Sequence, residues 1–250
     1  MFKKVIVLLS AAVVMAGCTR ASNSSPASPT SHSSEPASPA ASSAGVDPAN
    51  FVALIDNPFY PLPPGTTFVY EGPKDGEVQR DEVVVTHETK LILGVMCVVV
   101  KDTVTQDGVL IEDTLDWFAQ DKDGNVWYFG EDTKEYEDGK VVSTAGSWEA
   151  GVNGAVPGII MEANPDVPSS YRQEYYKGEA EDMAWVVSGD ESVSVSYGSF
   201  GDALLTVEWT PLEPKVFAEK FYAKGVGLVL SVSIAGEKER SELISLTTGQ

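Results

Sequence analysis

From Val83 onward, apolar residues fall in short runs or at every second position, the spacing of strands rather than helices. Val83-Val84-Val85, Leu91-Ile92-Leu93 and Val98-Val99-Val100 are aliphatic or β-branched runs. In VLIEDTLDWFAQ, Leu115, Trp117 and Ala119 alternate with Asp116, Phe118 and Gln120, so a strand there carries one apolar face and one mixed face. Asp-Gly pairs stand at 75–76, 107–108, 123–124 and 138–139. They mark hairpins, because a type I′ turn needs positive φ. Beyond them the pattern lapses over 151–170, where three prolines and three glycines predict a long loop or crossover that could divide two sub-sheets. Strands are expected again near 171–177, 182–188, 191–197, 203–209, 217–222, 226–234 and 239–246. A single short helix is expected near Pro48 to Leu54, with Asp47 as N-cap and Pro48 at the first helical position. The fold class this predicts is all-β: a large antiparallel meander forming a strongly curved sheet, as a barrel-like or sandwich domain.

The first 45 residues follow other rules. Lys3 and Lys4 precede a mostly apolar stretch from Val5 to Met15, too short for a membrane span of about 20 residues. Small residues then lead to Cys18, so 1–17 reads as a secretory signal peptide. Met15-Ala16-Gly17-Cys18 resembles the lipobox of bacterial lipoproteins, with Met15 where leucine is commoner. The resemblance implies that Cys18 is lipidated, palmitate included, and becomes the mature N-terminus. The protein would then sit on the exported side of a cell membrane or outer membrane. Thr19 to Gly45 is rich in Ser, Pro and Ala and has no large apolar residue. It cannot offset its ordering entropy by burial, so 18–45 is expected to be a disordered tether, reaching about 30 Å. Residues 46–250 remain as one β-rich domain, long enough to bury a substantial core.

Two further segments resemble a family of exported bacterial proteins to which no activity is attached. Asn57-Pro58-Phe59-Tyr60-Pro61-Leu62-Pro63-Pro64-Gly65-Thr66-Thr67-Phe68 is similar to the opening of that family, before its first strand. Phe221-Tyr222-Ala223-Lys224-Gly225-Val226-Gly227-Leu228-Val229 is similar to a late strand, with Lys224 where proline is commoner. The likeness implies a fold for most of residues 50–235 and carries over no chemistry.

Charge narrows the partners. The chain has 17 basic and 37 acidic residues, a net charge of −20. Without Lys3 and Lys4 the mature chain has 15 basic residues against 37 acidic, or −22. Nucleic acid and anionic lipid surfaces would repel it, and cations would be attracted.

Four groups of residues invite chemistry. In DKDGNVWYFGED, Asp121, Asp123, Asn125 and Asp132 occupy positions 1, 3, 5 and 12 of a calcium-loop count, with the oxygen donors a hard cation needs. Against this, Val126 stands where the loop needs glycine, and Val126-Trp127-Tyr128-Phe129 reads as a strand that would carry Asp132 away. Asp123-Gly124-Asn125 as a plain hairpin turn is the competing reading, and it predicts a solvent-facing Asp121. Glu174, Glu179, Glu181 and Asp182 form a second acidic group, either a solvated edge or a carboxylate set for acid–base or cation chemistry. Cys97 with His87 is the only cysteine–histidine pair of the folded region, but VMCVVV predicts a buried, inert thiol. Trp117, Trp127, Tyr128, Phe129, Trp148, Tyr171, Tyr175, Tyr176, Trp185 and Trp209 are core or cross-strand residues, unless a concave face turns some of them to a ligand.

No catalytic motif emerges. The expected function is a lipid-anchored envelope protein whose β domain binds an apolar or amphipathic small molecule, or a protein partner. The alternatives are a carboxylate-based, cation-assisted hydrolase around Glu179, Glu181 and Asp182, and a cation-binding or structural surface protein.

Overall fold

The computed structural model describes residues 45–249. The signal peptide, Cys18 and nearly all of the tether lie outside the described residues. The described chain opens with a 3-10 turn, Pro48–Asn50, in which the Asp47 side chain accepts from the Ala49 N–H. The cap is where the sequence places it, but the helix stops three residues on. Phe51 turns extended because the chain there becomes β1 (Phe51–Val52), an added strand on the edge left free beside Gln120 and Asp121.

The meander follows: β2 (Thr67–Lys74), β3 (Glu77–Ile92), β4 (Val95–Gln106), β5 (Val109–Asp121) and β6 (Val126–Glu137). Next come β7 (Lys140–Ser143), β8 (Trp148–Glu149), β9 (Val156–Met161), β10 (Ser169–Arg172) and β11 (Glu174–Tyr175). The last five are β12 (Met183–Val195), β13 (Gly198–Trp209), β14 (Phe217–Ala223), β15 (Gly227–Ala235) and β16 (Arg240–Thr247). The expected loop at 151–170 therefore contains β9, which pairs with β6, and sheet pairing continues through it. The strands expected at 182–188 and 191–197 are one strand, β12, irregular in register at its middle.

Sheet order is β10-β12-β13-β14-β15-β16-β2-β3-β4-β5-β6-β9-β11. Its two ends, β10 and β11, are consecutive pieces of one chain separated only by Gln173. The sheet therefore curls into a nearly closed antiparallel barrel. Curling leaves few open edges, the usual hazard of a large sheet.

The hairpins explain why the strands run so long. Asp75-Gly76, Asp107-Gly108 and Asp138-Gly139 have positive φ at both residues, as type I′ turns require. Leu93-Gly94 makes the same kind of turn between β3 and β4, with Leu93 at φ 49. A leucine there is unfavourable alone. Its side chain packs against the core and fills the space where a Cβ on Gly151 would fall.

Candidate functional site

Alternate residues of strands all round the ring point to a common interior. Phe68 and Tyr70 of β2, Asp116 and Phe118 of β5, and Lys220 and Tyr222 of β14 are each two apart, and all line one cavity of about 60 Å³. The cavity is the lumen of the barrel. On β5 the mixed face, not the apolar one, looks inward. Glu112, Thr114, Asp116, Phe118 and Gln120 are all buried.

The segment before β2 closes one end of this lumen. Asn57 Nδ2 donates to the carbonyls of Gly124 and Glu162, and its Oδ1 accepts from the Phe59 N–H. Gln120 Oε1 accepts from the N–H groups of Asp56 and Asn57. Held this way, the segment lays Tyr60, Pro61 and Leu62 against the cavity. The β14–β15 turn meets it there. Gly225 N–H donates to the Pro58 carbonyl at 2.7 Å, Lys224 Nζ lies 5.5 Å from the Phe59 ring centroid, and the Tyr60 and Tyr222 rings are 6.4 Å apart. The two segments that carry the family resemblance thus pack on each other and form part of one cavity wall.

The lining combines two chemistries. Tyr60, Phe68, Tyr70, Phe118, Tyr128 and Tyr222 supply aromatic surface. Asp116, Glu174, Asp182 and Glu208 supply carboxyls, with Lys220 as the single basic residue. Lys220 Nζ pairs with Glu208 Oε2 at 2.6 Å, and Glu208 Oε1 also accepts from the hydroxyls of Tyr222 and Thr206. Asp116 Oδ1 accepts from Tyr128 Oη at 2.6 Å, and Glu174 Oε2 accepts from Trp148 Nε1 at 2.8 Å. The other oxygens, Asp116 Oδ2, Glu174 Oε1 and Asp182 Oδ1, have no hydrogen-bond partner, and neither has Gln173 Nε2. Buried polar atoms are ordinarily satisfied, so four orphans on one cavity wall need an explanation.

Burial dominates the acidity of this interior. Desolvation first, then repulsion by neighbouring acids, holds Asp116 and Glu174 well above the usual carboxylate range. Asp182 is pushed up to about 7 by burial, against the pull of Lys220. Further along the same strands Glu112 is pushed up to about 8 by burial and by Asp102. Asp81 and Asp102 are diagonal neighbours on adjacent strands; burial pushes Asp81 up to about 7, and burial with repulsion by Asp81 holds Asp102 well above the usual carboxylate range.

The acidic string EYYKGEAED divides between this wall and the outside. Glu174 and Asp182 line the cavity. Glu179 and Glu181 sit on the intervening turn, where Glu181 Oε1 accepts from the Gly178 N–H. The expected face shared by Glu179 and Glu181 does not form, because residues 177–179 turn instead of continuing a strand.

Within DKDGNVWYFGED, residues 122–125 form the turn between β5 and β6. Asp121 is buried rather than solvent-facing. Its Oδ1 accepts from the N–H groups of Asp123 and Asn125, and its Oδ2 accepts from Asn125 Nδ2 and Trp127 Nε1. Asn125 Oδ1 accepts from the Ala163 N–H. Asp132 lies on β6 opposite Leu115 and pairs with Lys134 at 2.8 Å. Six residues of strand separate Leu115 from Asp121, a distance of about 20 Å. The four residues therefore do not meet around one point. Among the described residues no group of three or more His, Cys, Asp and Glu side chains is placed to hold a metal ion.

Cys97 is fully buried, and burial pushes its thiol up to about 12. His87 is exposed in the irregular stretch of β3 between Val85 and Thr89. A thiol reagent is accordingly expected to label Cys97 at least a hundredfold more slowly in the native protein than in urea. Comparable rates, read by mass spectrometry, would mean the strand around it opens readily. Of the aromatics singled out in the sequence, Tyr128 lines the cavity and Trp148 orients Glu174 behind it. Trp185 is exposed.

The site is thus an acid- and aromatic-lined cavity inside an antiparallel barrel. No protein-family profile matches the sequence, and no curated protein matches it. Among solved structures, a protein of Bacteroides fragilis provisionally described as exported, with a YmcC-like fold, is 17% identical. That match covers 76% of this chain and 99% of that one, with a TM-score of 0.45. A Parabacteroides distasonis protein provisionally described as a lipoprotein is 14% identical, over 76% of this chain and 98% of that one, with a TM-score of 0.36.

Proposed function

We propose that this is an exported, lipid-anchored binding protein that takes a small amphipathic molecule into the lumen of its barrel. The observation that carries the reading is the lumen itself. Aromatic faces there surround four buried polar atoms that lack partners. Such a wall offers apolar area for affinity and a few placed polar groups for orientation, the usual composition of a small-molecule site. The capacity is modest. At roughly 10–15 Å³ per water, the cavity holds about four to six waters, or a ligand of roughly 120–180 Å³.

The carboxyls support binding over hydrolysis. Acid–base catalysis needs one group held protonated and another held ionised. Here burial drives Asp116, Glu174 and Asp182 in the same direction, and both oxygens of the remaining acid, Glu208, are engaged by Lys220, Tyr222 and Thr206. Native mass spectrometry of the protein from its own cells tests the reading, because a retained molecule would be weighed directly. A bare mass from gently purified protein, with no small molecule stabilising the fold in thermal melts, would count against it.

The anchor has its own test. Lys3, Lys4, the apolar stretch and Met15-Ala16-Gly17-Cys18 support lipidation at Cys18. Cys18→Ser is expected to move the protein from the detergent phase to the aqueous phase on phase separation. Unchanged partitioning would remove the lipid anchor from the proposal.

A further inference from the structure

We infer that the molecule this lumen takes is a small organic cation, a primary amine bearing an apolar body and one hydrogen-bond acceptor. The inference rests on the ligand-binding reading above and specifies its chemistry. It begins with the unsatisfied atoms. Asp116 Oδ2, Glu174 Oε1 and Asp182 Oδ1 are acceptors without donors, and Gln173 Nε2 is a donor without an acceptor. Asp116, Glu174 and Gln173 are each at most 2% exposed, so bulk water does not satisfy them. A primary ammonium brings three N–H donors on one atom. An ammonium in the lumen would bring donors to these acceptors, and a hydroxyl or carbonyl elsewhere on the ligand would meet Gln173.

Charge points the same way. Lys220, the only basic residue on the wall, is engaged by Glu208. An anionic ligand would therefore enter a wall of four carboxyls with no cation left to receive it. Glu174 holds the Trp148 indole and lies in the field of Asp182, Asp116 and Lys220; Asp182 is bonded by the Thr210 side chain and lies in the field of Lys220, Glu208 and Glu213. An ammonium among them would let a carboxyl ionise against a partner instead of standing as a buried acid. The six aromatic rings complete the match, since ring faces attract cations as well as apolar groups.

The test is isothermal titration of the detergent-purified full chain with three probes of one shape: benzylamine, benzyl alcohol and benzoate. Benzylamine is expected to bind one-to-one, at least tenfold more tightly than benzyl alcohol, with benzoate the weakest. Glu174→Gln keeps an acceptor for Trp148 Nε1 and is expected to lose about tenfold in benzylamine affinity while the alcohol changes less than twofold. Asp182→Asn, measured in parallel, serves should Glu174→Gln unfold. Benzyl alcohol or benzoate equalling benzylamine would overturn the cation proposal while leaving a binding lumen. No heat from any probe, with a neutral or anionic molecule retained in native mass spectrometry, would do the same. No heat and no retained molecule would remove both readings.

Discussion

Raising the pH from about 5 to about 8 is expected to weaken the fold by on the order of 3 kcal/mol, the reverse of what surface ion pairs produce. The sign follows from the interior acids. In an unfolded chain, aspartate and glutamate titrate near 4. In the barrel Asp81 and Asp182 are pushed up to about 7, Glu112 to about 8, and Asp102, Asp116 and Glu174 well above the usual carboxylate range. Between those values the folded protein holds protons that the unfolded chain has released, so stability falls as pH rises. Below about 4 both states are protonated and the advantage is complete. Above the folded values it is gone. A tenfold difference in proton affinity between the folded and unfolded chain is worth about 1.4 kcal/mol. Relaxation and mutual coupling of the buried acids bring the sum well below the total of their separate contributions. Glu242, lowered by Ser196 and Arg240, works in the opposite sense but only below its ordinary value, outside this window. Urea unfolding at four pH values checks the claim: the midpoint should fall from about pH 5 to about pH 8 with little change in slope. Glu112→Gln should keep the acceptor that Thr114 uses and gain about 1–3 kcal/mol at pH 8, with little change at pH 5. A flat or rising profile would mean that these carboxyls are solvated in the native protein.

The same acids show where a sequence is readable and where it is not. Asp75-Gly76, Asp107-Gly108 and Asp138-Gly139 announce their turns because the constraint is local: two adjacent residues at positive φ. The meander and the all-β class follow from those turns and the alternation between them. Alternation along β5 separates Leu115, Trp117 and Ala119 from Asp116, Phe118 and Gln120, but it does not say which set faces in. That depends on the hand of curvature of the whole ring, and here the mixed set takes the lumen. Nor does periodicity reach Tyr60 and Leu62, which belong to no strand and are placed by the Asn57 and Gln120 hydrogen bonds from distant positions. For Glu174 and Asp182 a signal was present. Lys177-Gly178 is a turn pair with Gly178 at φ 81. A turn there breaks the alternation, leaving the flanking acids on the wall and the central ones outside. Leu93-Gly94 gives no such warning, since leucine at positive φ is held only by tertiary packing.

Asp121→Ala should be among the most damaging single substitutions outside the hydrophobic core, costing about 3–5 kcal/mol. One carboxylate there gathers four donors: the N–H groups of Asp123 and Asn125 on Oδ1, and Asn125 Nδ2 and Trp127 Nε1 on Oδ2. Hydrogen bonds to a charged acceptor are worth about 1.5–3 kcal/mol each, and an orphaned buried donor costs about 1–3 kcal/mol. Water reaches part of the turn, which keeps the total below the sum. Asp121→Asn separates charge from shape. Its oxygen could still serve the two backbone N–H groups, but its amide would face the two side-chain donors, so a smaller loss of about 2 kcal/mol is expected. Gly124→Val tests the backbone in the same turn. Gly124 stands at φ 95, and a Cβ there would lie 3.3 Å from that of Ala163, so a β-branched residue is strained in angle and short of space. All three variants are read by urea unfolding in millimolar calcium and in excess chelator. The turn predicts the same ranking in both, with Asp121→Ala well below wild type. A wild-type protein stabilised by calcium through Asp121 would show a calcium-dependent midpoint that Asp121→Ala abolishes, and that outcome would restore Asp121, Asp123 and Asn125 as cation ligands.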